Sequence, residues 1–89
     1  MRAERVIVRG HVQGVGFRWF VQSRSEAAGL TGWVRNLPDG AVEAQLEGDS
    51  NAIERVIEAL RRGPPRSKVT AVERAPCATQ NASGFQIVR

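Results

Sequence analysis

GHVQGVGFR, residues 10–18, is where the hydrophobic period of this chain changes. Before it, Val6, Val8, Gly10 and Val12 alternate with Arg5, Arg9 and His11, the period of two expected of a half-buried strand. After it, Phe17, Phe20, Val21, Arg24 and Ala28 fall at helical spacing, and Gly29 stands where a glycine cap ends a helix. The stretch is therefore a strand-to-helix junction, with a helix predicted over 17–28. Gly14 and Gly16 permit φ > 0, which turns successive N–H groups into one concavity. The helix N-terminus adds further free N–H groups and a partial positive charge. Arg18, delivered beside them, completes a site suited to a tetrahedral oxyanion, above all a phosphoryl group. No Lys-Ser/Thr pair follows the glycines, so this is not the Walker P-loop, and their spacing is not that of the dinucleotide fingerprint.

Working outward, residues 31–37 (TGWVRNL) read as a second strand and residues 41–48 as a third. The PDG at 38–40 between them is a turn signal that makes the pair a hairpin. In the third strand Val42, Ala44 and Leu46 alternate cleanly with Glu43, Gln45 and Glu47, which this pattern presents on the sheet surface. Asp49, Ser50 and Asn51 each suit the cap of a second helix, and Asn51 with Glu54 has capping-box spacing. Ile53, Val56, Ile57 and Leu60 form its apolar stripe, and GPP at 63–65 stops it. Residues 69–74 read as a fourth strand, 76–84 as a small polar loop, and 85–88 as a short final strand.

The order is β-α-β-β-α-β with a short extra C-terminal strand. It predicts an α+β, ferredoxin-like split βαβ sandwich, with two helices on one face of an antiparallel sheet. In that topology the first two strands run the same way, with the third between them. The loop after the first strand and the end of the second then share one edge of the sheet, which brings Arg18 and Asn36 together.

The chain's 89 residues suit a single domain, 1–89, large enough for a core without disulfide staples. Cys77 is the only cysteine, which excludes an internal disulfide and points to a reducing compartment, the cytoplasm. The N-terminal MRAER leads into the first strand rather than a secretory signal, and no apolar run approaches the roughly 18 residues of a membrane span. The net charge of +4, with arginine supplying almost all of the basic residues, favours anionic partners, either small phosphorylated molecules or nucleic acid.

GHVQGVGFR at 10–18 and GWVRN at 32–36, taken together, resemble acylphosphatase. PDG at 38–40, GP at 63–64 and GFQI at 84–87 also fall where that family has them, so the resemblance spans nearly the whole chain. It implies hydrolysis of carboxyl–phosphate anhydrides to a carboxylate and phosphate. It further implies that Arg18 holds the phosphoryl group and that Asn36 orients the attacking water. The backbone amides of Gln13, Gly14, Val15, Gly16 and Phe17 complete the cradle. The family needs no metal and no organic cofactor, and the resemblance favours a monomer acting on a small-molecule acyl phosphate, with inorganic phosphate as product and inhibitor.

The sparse equipment fits that chemistry. Phosphoryl transfer asks mainly for positioning and for charge stabilisation on the equatorial oxygens. An acyl phosphate releases a carboxylate, whose conjugate acid has a pKa of about 4, so no general acid is required. The chain has one histidine, His11, on the outer side of the first strand, and no Ser/His/Asp arrangement. Trp33 reads as packing or cover for the sheet; Trp19 reads either as a border of the site mouth or as semi-buried packing, with packing the favoured reading. Two other classes fit less well. An RNA-binding ferredoxin-like domain would show aromatic residues where the third strand has Glu43, Gln45 and Glu47. A phosphate-binding accessory module would keep the cradle within a larger protein, whereas this chain has the length of an independent enzyme.

Overall fold

The computed structural model describes residues 1–89. The elements follow the expected order: β1 (Arg2–His11), α1 (Phe17–Ala27), β2 (Thr31–Asn36), β3 (Val42–Gly48), α2 (Ser50–Arg62), β4 (Lys68–Pro76) and β5 (Phe85–Ile87). The sheet order is β4-β1-β3-β2-β5. β3 pairs antiparallel with β1 and β2, and β4 pairs antiparallel with β1. The short β5 joins β2 in parallel, so the extra strand makes the sheet mixed.

Alternation decides which strand face the helices cover. Val6, Val8, Val34, Val42, Ala44 and Leu46 are buried on the helix side. Phe17 and Val21 of α1 and Ile53, Val56, Ile57 and Leu60 of α2 close over them in one continuous core. Ala28 caps α1, and the N–H of Leu30 donates to Ser25 O at 2.9 Å, turning the chain into β2. Asp49 caps α2, accepting from the N–H groups of Asn51 and Ala52. Glu54 is thereby released from a capping box and pairs instead with Arg74 on β4, which also holds the buried Glu4 at 2.7 Å.

The opposite sheet face departs from the sequence pattern. Glu43, Gln45 and Glu47 are all buried, although their alternation with apolar residues marks them as a surface. β3 is central, and its polar side chains are covered. Arg5 and Arg35 clasp the Glu43 carboxylate from the flanking strands, Arg35 Nε donating at 2.6 Å. The segment between β4 and β5 crosses the sheet here: Gln80 N and Asn81 N donate to the Glu47 carboxylate at 2.9 and 3.1 Å. Gln45 Nε2 donates to Glu47 and to Ala78 O. A buried carboxylate persists only where such partners replace water. Trp33 belongs to the same cover, its Nε1 donating to Gln80 at 3.3 Å while the Arg35 guanidinium lies 5.3 Å from its ring centroid. Cys77, at the start of that crossing segment, has its thiol pushed up by burial and by Glu47.

Candidate active site

β1 ends at His11, and the chain must reverse onto the sheet to begin α1 at Phe17. Gly14 and Gly16 make the reversal with φ of 74° and 76°, while Val15 between them stays on the negative side. A Cβ at either glycine would meet nothing within 4 Å, so backbone conformation, not crowding, is what calls for glycine here. Alternating handedness of this kind points consecutive N–H groups to one side. None of the backbone N–H groups from Gln13 to Trp19 donates a hydrogen bond within the chain; the first amide to do so is that of Phe20, to Gly16 O at 3.0 Å. The loop and the first turn of α1 thus form a continuous run of free donors at the positive end of a helix dipole.

Gln13 anchors this run. Its Nε2 donates to Leu37 O at 2.8 Å and to Ala41 O at 2.9 Å, which ties the loop to the base of the β2–β3 hairpin. The hairpin itself is closed by Leu37 N to Ala41 O at 2.8 Å and by Asp39, whose carboxylate accepts from Ala41 N and from Arg9. The backbone donor at Ala41, then Arg9, hold the Asp39 carboxyl below its ordinary range. Asn36 ends β2 one residue before the turn, so the same contacts fix its distance from the loop.

Val12, Gly14, Gly16, Phe17, Arg18 and Asn36 line one cleft of about 210 Å³, with Trp19 and Ile87 at its border. Arg18 is half-buried and its guanidinium takes part in none of the chain's ion pairs. Asn36 Oδ1 is buried and accepts no hydrogen bond from the protein. The cleft therefore combines a charged fork, a row of amide donors and one unsatisfied acceptor. Donors of the first two kinds suit phosphoryl oxygens, and the acceptor suits a water proton.

The topology brings Arg18, Asn36, Gly14, Gly16 and Phe17 together as the sequence predicts. Gln13 and Val15 do not line the cleft; the Gln13 side chain is an anchor, and Val15 packs against the core. Trp19 overturns the expectation of semi-buried packing: it is 66% exposed at the cleft. His11 is exposed and lies outside the cleft. A larger groove of about 280 Å³ runs between α1 and α2, edged by Arg24 and Arg55, but it lies along the helix flanks, away from the free amides.

A ferredoxin-like sandwich with a donor-rich loop between its first strand and helix defines a class of small anion-handling α+β protein. The comparisons give the family. The family model for acylphosphatase matches residues 4–87. An acylphosphatase of Thermococcus kodakarensis is 46% identical over 81 residues, covering 91% of this chain and 89% of the relative. The crystal structure of acylphosphatase from Bacillus subtilis superposes with a TM-score of 0.97 at 43% identity, each chain covered in full. The crystal structure of T. kodakarensis HypF matches at a TM-score of 0.88 and 34% identity, over all of this chain but 12% of that one. The chain belongs to the acylphosphatase family.

Proposed function

We infer that Arg18, Asn36 and the free amides of the 13–17 loop, with Gly14, Gly16 and Phe17 facing the cleft, are the working parts of this chain's activity, the hydrolysis of acyl phosphates to a carboxylate and inorganic phosphate. The run of unpartnered N–H groups beside an arginine free of ion pairs carries the reading. In this assignment the amides and the Arg18 fork bind the equatorial phosphoryl oxygens, where charge is spread in the transition state. Asn36 Oδ1 accepts from the attacking water. Water oxygen bonds to phosphorus as the bridging P–O bond breaks, and the carboxylate leaves with the electron pair. The water's proton is lost to solvent after the water has bonded. Nothing in this sequence of steps requires a metal or an organic cofactor. Inorganic phosphate is the product and a competitive inhibitor for the same donors.

The substrate is a small molecule, and no helix of the chain is long and apolar enough to cross a membrane. We further propose that residues 1–89 act as a single domain and as a monomer in the cytoplasm; a lone Cys77, with no second cysteine to pair with, supports the reducing compartment. A nucleic-acid role is disfavoured because the sheet face that an RNA-binding domain would use is occupied by buried carboxylates and the crossing segment. The similarity to one part of HypF favours a second reading, a phosphate-binding module that keeps the cleft without rapid turnover.

The water-holding role is tested by Asn36→Ala. A group that touches only the nucleophile raises the barrier without weakening the ground state, so kcat is expected to fall about a hundredfold or more while the inhibition constant for phosphate stays near that of the native chain. Parallel loss of phosphate binding overturns the assignment of Asn36 to water.

A further inference from the structure

Trp19 and Ile87 are, with the N-terminal Met1, the exposed large hydrophobic side chains of the chain, at 66% and 40%. Single exposed apolar residues are ordinary. These two come from opposite ends of the sequence and border the same cleft as Arg18 and Asn36. Each is held there by the fold. Trp19 follows Arg18 in the first turn of α1. Ile87 ends β5, in register with Val34 of β2, and Val88 N donates to Val34 O at 2.9 Å.

The chemistry gives them a use. In-line displacement sets the attacking water and the departing carboxylate on opposite sides of phosphorus. Asn36, whose Oδ1 is the acceptor assigned to the water, lines the same cleft, and that oxygen is buried while Trp19 and Ile87 are exposed. The acyl group must then project away from Asn36, and the exposed residues of the cleft are the ones that can meet it. An indole face and a branched aliphatic side chain offer that group apolar contact and, for a planar acyl group, stacking. Neither side chain can hydrogen-bond an acyl substituent except through the indole N–H.

We propose that Trp19 and Ile87 form an apolar lip that binds the acyl group and makes the enzyme prefer acyl phosphates with aromatic or bulky apolar acyl groups. The proposal rests on the assignment of Arg18 and Asn36 above. It sets the specificity of the chain outside the phosphate cradle, on two residues that take no part in the bond-breaking step.

The test compares kcat/KM for benzoyl phosphate and acetyl phosphate in the native chain, Trp19→Ala, Trp19→Phe, Ile87→Ala and Arg18→Gln. Apolar contacts of this size discriminate by about tenfold or more. The ratio of benzoyl to acetyl kcat/KM is expected to exceed one in the native chain and to fall about tenfold in Trp19→Ala, less in Ile87→Ala, with Trp19→Phe restoring most of it. A purely structural role for Trp19 would lower both substrates together and leave the ratio unchanged. That result, or an unchanged ratio with full activity, overturns the lip while an inactive Arg18→Gln leaves the cleft assignment standing. An Arg18→Gln enzyme that still hydrolyses both substrates overturns the cleft assignment, and the lip with it.

Discussion

At the scale of single residues, the proposed mechanism gives Arg18 and Asn36 different work, so they must fail differently. Arg18 offers a planar fork whose two N–H groups match two phosphoryl oxygens, whereas a lysine offers a mobile point charge. Arg18→Lys is expected to keep the fold, because no ion pair depends on this side chain. It should lose about a hundredfold or more in kcat/KM, measured as phosphate release. Turnover near that of the native chain would mean that charge alone suffices at this position. That the two residues meet in one cleft was legible in the sequence, because a glycine-rich strand-to-helix junction and a second motif ending in asparagine stand at the right places in a βαββαβ order. Trp19 was misread for a physical reason. It lies off the apolar stripe of α1, and periodicity says only that such a residue avoids the core, not whether a neighbouring strand covers it. The strand beside it, β5, is short and leaves it open.

At the scale of elements, the cleft depends on a loop and a hairpin that only Gln13 joins by side-chain hydrogen bonds. Sequence reading assigned Gln13 through its backbone amide alone, since nothing local indicates that a glutamine side chain will find two carbonyls at Leu37 and Ala41. Gln13→Ala removes two hydrogen bonds, while each carbonyl keeps a backbone donor, Gly40 N for Leu37 O and Leu37 N for Ala41 O. The expected cost is about 1–3 kcal/mol of stability by denaturant titration. Weaker inhibition by phosphate should accompany it, because the donors lose their fixed distance from Asn36. Stability lost with phosphate affinity unchanged would show that the loop holds its shape alone. Gly16→Ala probes the same element from the backbone. An alanine at φ 76° costs about 1–2 kcal/mol, and relaxing that strain would turn amides out of the cradle, so activity should fall further than stability. Equal losses would argue against the cradle. The element order and the helix boundaries were legible because alternation and capping are local. The parallel pairing of β5 and the path of residues 77–81 were not, since both are set by tertiary partners: β2 for one, the Glu47 carboxylate for the other.

At the scale of the whole molecule, arginine–carboxylate pairs on several elements make the fold sensitive to acid. The Arg74 guanidinium holds Glu54 below its ordinary value of 4.5, and Ala41 N with Arg9 holds Asp39 below 3.8. A carboxyl whose pKa is depressed on folding stabilises the native state above its unfolded pKa, and that contribution is lost as pH falls through the folded pKa. The Tm should therefore hold level from neutrality to the ordinary carboxylate range and decline below it, with a smaller decline in Asp39→Asn. A Tm that rises on acidification would contradict this account. The same pattern explains why β3 deceived a sequence reading: Glu43, Gln45 and Glu47 alternate like a solvent face, and only the assembled sheet shows that Arg5, Arg35 and a crossing segment enclose them. The central claim is that a row of free amides, one arginine and a water-holding asparagine split an acyl phosphate without a metal. Its most direct test is phosphate release from benzoyl phosphate by the purified chain in EDTA, with Arg18→Gln alongside. The account predicts rapid hydrolysis by the native chain and a folded, nearly inactive variant; no hydrolysis by a folded native chain, or hydrolysis that EDTA abolishes, would contradict it.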